Sequence, residues 1–138
     1  MTNLSTLEVP GPTGIALTAP FWDAVEEGRL LVQHCGACDG WVFYPREICA
    51  LCWADALEWR HASGQGRWKS FSLVHRPGHP GWAPAAPYAV GLVRLSEGPT
   101  MMSHILCDNP RIGMPLRLAP TVVGGRTLPC FVKSKEET

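Results

Sequence analysis

Four of the six cysteines are grouped as Cys35-Gly-Ala-Cys38 and Cys49-Ala-Leu-Cys52, with ten residues between the pairs. Two C-x2-C pairs on hairpin-like knuckles bring four soft thiolates together, the donor set of a closed tetrahedral zinc site. With every position filled by protein there is no place for water or substrate, so such a metal holds a fold together and does no chemistry. Two disulfides, or chance spacing, are the alternatives. A glycine often follows the second cysteine of a knuckle, where it relieves a bend through positive φ. Here Asp39 and Trp53 stand at those positions, so knuckle geometry is the open point. His34 adjoins Cys35 and could ligate, but four cysteines suffice and it reads as an ordinary ribbon residue.

The remaining catalytic inventory is thin. Gly64-Gln-Gly66-Arg-Trp-Lys69 opens like a dinucleotide fingerprint, but Lys69 replaces the third glycine and a strand follows instead of a helix. His75 and His79 stand four apart, yet Pro77 and Gly78 between them exclude a shared helical face and a zincin-type site. Cys107 and Cys130 lie within apolar strand patterns and read as buried, inert thiols. One stretch reads as a binding surface instead. His75–Tyr88 is long for a loop between strands, stiffened by prolines, with Trp82 at its centre and His75 and Arg76 at its base. Those cations could meet a phosphate or carboxylate; otherwise the loop is a rigid flap with Trp82 folded onto the domain. His75, Arg76, Trp82 and Tyr88 are the candidate ligand-binding residues.

The elements that must position these residues are mostly strands. Residues 1–17, punctuated by Pro10, Gly11, Pro12 and Gly14, read as an extended arm. A short helix is predicted from Thr18, which can cap the first turn, with Pro20 tolerated there and Gly28 as the stop. Phe21, Trp22 and Val25 share one side of it. The Phe21-Trp22 pair is either core or a docking ridge, and both are carried as candidate partner-interface residues. Arg29–His34, Trp41–Tyr44 and Leu57–Trp59 frame the cysteine ribbon. Beyond Ser63-Gly64-Gln65-Gly66 the pattern becomes all-β, with strands predicted at Arg67–Arg76, Tyr88–Leu95, Thr100–Cys107, Pro115–Val123 and Thr127–Lys133. Along the last of these, Leu128, Cys130 and Val132 alternate against Thr127, Phe131 and Lys133. Five short antiparallel strands in about 70 residues fit a small closed barrel, an OB-fold first among them. The expected architecture is therefore mainly β: arm 1–17, helix plus rubredoxin-like zinc ribbon 18–62, five-stranded OB-fold barrel 63–133 and charged tail 134–138.

Composition limits the partners. The chain of 138 residues balances twelve basic against twelve acidic side chains and is only 17% charged, with six Trp, four Phe and two Tyr. Four thiolates and a zinc dication would leave it about two units negative. This is not the electrostatic footprint of a nucleic-acid binder. Apolar surface beyond what so small a core can hide points instead to a subunit interface. No apolar run reaches membrane-spanning length, and the N-terminus lacks a signal-peptide pattern. Metal-type cysteine spacing fits a reducing cytoplasm.

Taken in order, the motifs carry a resemblance: Phe21-Trp22, Gly28-Arg-Leu30, the two C-x2-C pairs around Pro45-Arg46, Trp59, Gly64-x-Gly66 and Ser70-Phe71. Val74-His75-Arg76, Pro87-Tyr88, Leu95-x-Glu97-Gly98 and Ile112-Gly-Met-Pro115 continue it. Across roughly residues 18–133 the chain resembles the zinc-ribbon plus OB-fold acyl-CoA-associated family catalogued as domain of unknown function 35. The combination is specific where no single motif is. The resemblance implies one structural zinc per chain on Cys35, Cys38, Cys49 and Cys52, and no catalytic residues of its own. It also implies a partner of thiolase fold: a thiolase, an acyltransferase or a steroid side-chain aldolase. An enoyl-CoA hydratase-type subunit can accompany it, with acyl-CoA as the shared ligand. Two other readings stand beside this accessory subunit. A zinc-ribbon and OB nucleic-acid module would be disfavoured by the neutral charge. A rubredoxin-like electron carrier would need iron, which four thiolates also suit, but the loop of ten is short for it and the barrel would go unexplained.

Overall fold

The computed structural model describes residues 4–12, 14–107 and 111–134. Positions 1–3 and 13 of the expected arm, 108–110 of the expected Asp108–Gly113 loop and 135–138 of the expected tail lie outside the described residues. The architecture is mainly β, with one short α-helix, a cysteine ribbon and a closed five-stranded barrel.

Helix α1 spans Ala19–Glu26 with Pro20 in its first turn, where the missing N–H has no helical partner to lose. The capping differs from expectation. Thr18 is itself near-helical, and its hydroxyl turns back to donate to the Ile15 carbonyl and accept from the Ile15 amide, each at 3.2 Å. Gly28 ends the helix with φ +83°. Its N–H bonds the Val25 carbonyl at 3.1 Å while Arg29 N–H reaches Ala24 at 2.8 Å, the paired bonds of a Schellman stop. Phe21, Ala24 and Val25 are buried, Trp22 is half-buried, and Asp23, Glu26 and Glu27 face water.

The ribbon is a three-stranded antiparallel sheet, with β1 (Leu30–Cys35) flanked by β2 (Trp41–Val42) and β3 (Leu57–Ala62). In the barrel, β4 (Gln65–Val74), β5 (Tyr88–Leu95) and β6 (Thr100–Leu106) form an antiparallel meander. Strand β7 (Pro115–Leu118) pairs with β4, and the last strand, Phe131–Lys133, closes the ring between β7 and β6. The expectation of five antiparallel strands is corrected at that seam, where the last strand runs parallel to β6. An odd number of strands cannot alternate direction around a closed ring, so one parallel seam is forced.

Two expected strands are each broken in two. Pro115–Val123 divides at Ala119-Pro120 into β7 and β8 (Thr121–Val123). Thr127–Lys133 divides at Pro129-Cys130 into β9 (Arg126–Leu128) and β10 (Phe131–Lys133). Proline has no N–H for a ladder, so each run stops where Pro120 or Pro129 enters. Phe131, at the start of β10, is fully buried, whereas Lys133 on the same side of that strand is exposed at its end. Strands β8 and β9 form a hairpin on Gly124-Gly125, both at positive φ as a tight two-residue turn requires. The described part of the arm is not a free extension: Leu7 is buried, and Pro12 accepts a 2.9 Å bond from Arg126 of this hairpin.

The core crosses from ribbon to barrel. Phe21, Val25, Leu30 and Val32 belong to one buried cluster with Trp68, Val93, Met101, Leu116 and Phe131. At Trp68 the β4–β5 register shifts before Ser70, and the indole N–H returns to the Ser70 carbonyl at 3.0 Å. Gly91 pairs with Phe71, just beyond this bulge. A methyl group there would sit 2.5 Å from both the Ser70 oxygen and the indole nitrogen. Gly91→Ala is therefore expected to destabilise the barrel by about 2 kcal/mol through overpacking, read as a lower urea midpoint at unchanged m-value.

Candidate metal centre

The two knuckles are near copies of one another. Asp39 N–H bonds the Cys35 carbonyl and Trp53 N–H bonds the Cys49 carbonyl, both at 2.9 Å. Ala37 N–H points at Cys35 Sγ (3.4 Å) and Leu51 N–H at Cys49 Sγ (3.3 Å). Such amides stabilise negative charge on sulfur. Cys35 and Cys49 are buried, whereas Cys38 and Cys52 reach the surface.

All four Sγ atoms lie within 4.8 Å of one another, with Cys35–Cys52 at 3.7 Å and Cys38–Cys49 at 3.8 Å. Disulfide sulfurs stand about 2.05 Å apart, so neither pair is bridged. Zinc–sulfur bonds of about 2.3 Å at tetrahedral angles place sulfurs about 3.8 Å apart, which is the spacing of these two pairs. The donor set fits a closed structural zinc on Cys35, Cys38, Cys49 and Cys52. Without metal the thiols titrate far apart. Burial opposes ionisation of Cys49, but the amides of Cys52 and Leu51 and its thiol neighbours bring it down to about 7. At Cys38 the Gly40 amide favours the thiolate, yet desolvation and the surrounding thiols push it up to about 12. A dication is what allows all four to be thiolates together.

The missing knuckle glycines do not alter the turns. Asp39 has φ +67° and Trp53 φ +69°, so both knuckles pass through the left-handed region without glycine. They differ in compensation. Asp39 Oδ1 holds Nε2 of the buried His34 at 2.8 Å, and that ring packs edge-on against Trp41. His34 is therefore no spare ligand; it holds the first turn in place. Trp53 is 81% exposed and has little packing to offset its backbone strain.

The other predicted residues separate. Phe21 is 1% exposed and is core, which corrects its reading as a docking residue. Trp22, half-buried, meets Phe21 edge-on at 4.9 Å between ring centroids. In the loop, a 3-10 turn over Pro80–Ala85, capped by His79 Nδ1 accepting from Gly81 N–H at 2.9 Å, lays Trp82 back onto the barrel. The indole stacks on His104 (4.6 Å, 20° between planes) and touches Tyr88 (5.1 Å). His75 and Arg76 stand exposed beyond the end of β4 and take no part in this stack. His104 was not legible as a partner, since β6 offers no local mark of it; register places it opposite Val90, beside Tyr88. Burial lowers the proton affinity of His104. Cys130 is buried with its thiol pushed up to about 11 by desolvation, as an inert core cysteine should be; Cys107 is half-buried.

A rubredoxin-like ribbon with a closed four-cysteine site, followed by an OB-like barrel, defines a class of zinc-ribbon plus OB-fold proteins. Residues 22–58 match the family described as "ChsH2, rubredoxin-like zinc ribbon domain", and residues 59–120 match "ChsH2, C-terminal OB-fold domain". The chain belongs to this family. A chain of the solved "Ltp2-ChsH2(DUF35) aldolase" superposes with TM-score 0.77 at 31% identity, covering 89% of this chain and 98% of that one. A "Probable enoyl-CoA hydratase alpha subunit" of Thermomonospora curvata is 33% identical over 102 residues, 71% of this chain and 31% of that protein. The chain thus spans about a third of that hydratase subunit. A "DUF35 domain-containing scaffold protein" of Pyrococcus furiosus is 32% identical over 92 residues, 65% of each chain.

Two outcomes are expected. Cys35→Ser or Cys49→Ser should abolish the roughly one zinc per chain found by elemental analysis and unfold the ribbon, whose own buried cluster is only Cys35, Val42 and Cys49. The two left-handed positions should respond with opposite sign. Trp53→Gly relieves strain and loses little packing, so it should stabilise by about 0.5–1 kcal/mol in denaturant titration. Asp39→Gly relieves less strain and takes from a buried imidazole its one hydrogen-bonded side-chain partner among the described residues, so it should destabilise by about 1–2 kcal/mol.

Proposed function

We propose that the chain is a non-catalytic accessory subunit of a CoA-thioester enzyme of thiolase fold, completing the partner's assembly and helping to admit an acyl-CoA. The observation that carries the reading is the near full-length likeness to a chain of the Ltp2-ChsH2 aldolase, at an identity that supports more than fold. That structure's name joins two components, and the family matches of this zinc-ribbon and OB-fold chain favour correspondence to the ChsH2-type one. The hydratase-named relative supports a CoA-thioester context and a hydratase-type subunit as a further partner. A closed metal site supports a structural use of the zinc.

The nucleic-acid reading loses support from the flap. OB-folds bind oligonucleotides across their second and third strands, which here are β5 and β6. Trp82 lies over that face, stacked on His104 where a base would stack. No helix among the described residues is long and apolar enough to cross a membrane.

The test is reconstitution. The tagged chain should recover a CoA-thioester enzyme subunit from its host, and the purified pair should turn over a thioester that the chain alone leaves untouched. Arg76→Ala should raise the apparent KM of the pair without loosening it, as expected for an exposed cation that meets the CoA phosphates. Turnover by the chain alone, or recovery of no such subunit, would overturn the assignment.

A further inference from the structure

The second knuckle carries more exposed apolar surface than its own packing explains. Tyr44 is 47% exposed, Ile48 40%, Leu51 64% and Trp53 81%, all within ten residues of chain. Leu51 reaches across to the first knuckle, where it fills the space beside Gly40 that a side chain there would occupy. Arg46, Ile48, Cys49, Ala50 and Trp53 line a shallow depression of about 310 Å³. A tryptophan in the left-handed region, held out in water where glycine would be unstrained, costs stability in the free chain and returns nothing to it. Such a residue is repaid only by something that covers it.

The charge around this face says what kind of partner fits. Asp39, Glu47 and Asp55 are exposed on the knuckles against the single cation Arg46. Four thiolates around a zinc dication add two more negative charges, with Cys38 and Cys52 at the surface. The exposed apolar side chains of the knuckles are thus interspersed along the chain with a net acidic set of charges.

We propose that this second-knuckle face docks a positively flanked amphipathic helix of the partner enzyme, with Trp53 and Leu51 as the anchors. The inference rests on the accessory-subunit reading and adds the surface and the chemistry that it recognises. An apolar ridge on the helix fills the depression beside Trp53, while Lys or Arg on either side of the ridge meets Glu47, Asp55 and Asp39. Trp82 and the flap then lie outside the contact, since they are folded onto the barrel.

The test uses the full chain and the CoA-thioester enzyme subunit recovered on it from the host and identified by mass spectrometry. Trp53→Gly is the informative variant, because it relieves the turn and keeps the fold. It should retain about one zinc per chain and melt no lower than the wild type, yet bind the subunit at least tenfold more weakly by titration calorimetry. Glu47→Lys with Asp55→Lys should also weaken binding and flatten its dependence on salt. Wild-type affinity in both variants would overturn the docking surface while leaving the accessory role standing. Failure of the wild-type chain to bind any such subunit would overturn both. A homodimer in the purified wild-type chain that Trp53→Gly disperses would overturn the proposal in favour of self-association.

Discussion

Everything in this chain depends on four sulfurs being held at tetrahedral spacing. The ribbon has a buried cluster of only Cys35, Val42 and Cys49, far too little apolar burial to offset the entropy of ordering two knuckles. Metal coordination supplies that deficit, because the binding free energy of a structural site is folding free energy. The consequence extends past the ribbon. Strand β1 ends in Cys35, and the same strand sends Leu30 and Val32 into the barrel's core beside Trp68 and Phe131. The metal site and the barrel are thereby tied through one six-residue strand.

The barrel side is organised around different constraints. Closure with five strands requires one parallel seam, and the short β10 provides it, inserted between β7 and β6 after the break at Pro129. Tight passages are given to glycine where backbone meets backbone, as at Gly91 against the β4 bulge. Around the finished barrel the chain wraps its remaining segments inward. The described residues of the arm lie on the β8–β9 hairpin, and the proline-rich flap lays Trp82 on His104 of the β5–β6 face. A fold usually associated with an open ligand face has here laid its own loop over the part of that face around His104, while Met102 on the same side of β6 stays exposed. The knuckle end is a second surface with large side chains uncovered.

The contrast between Asp39 and Trp53 shows how one backbone demand can be met in two ways. Both positions need a left-handed residue, and neither has glycine. Asp39 is compensated within the chain by the bond to His34, which also satisfies one nitrogen of a buried ring. Trp53 has no comparable internal compensation. Strain kept without an internal reward is a sign of a site used in contact with something else.

Much of this was legible in the sequence because it depends on local spacing. The C-x2-C pairs, ten residues apart, determine a four-thiolate site whatever the knuckle glycines do, since sulfur reach and metal geometry set the closure. The strand Tyr88–Leu95 and the helix stop at Gly28 follow from alternation and from φ preference, both properties of a few neighbouring residues. Where proline entered a run, at Pro120 and Pro129, alternation alone carried the strand too far. Other features belong to the tertiary structure alone. Phe21 as core, the His34–Asp39 bond, the stacking of Trp82 on His104 and the exposure of Trp53 each join or separate residues through the fold. No spacing rule reaches from residue 82 to residue 104; only the register of β5 on β6 and the return of the flap bring those rings to 4.6 Å. Side-chain burial is decided by what the rest of the chain leaves uncovered, and that is a property of the closed barrel and not of any segment within it.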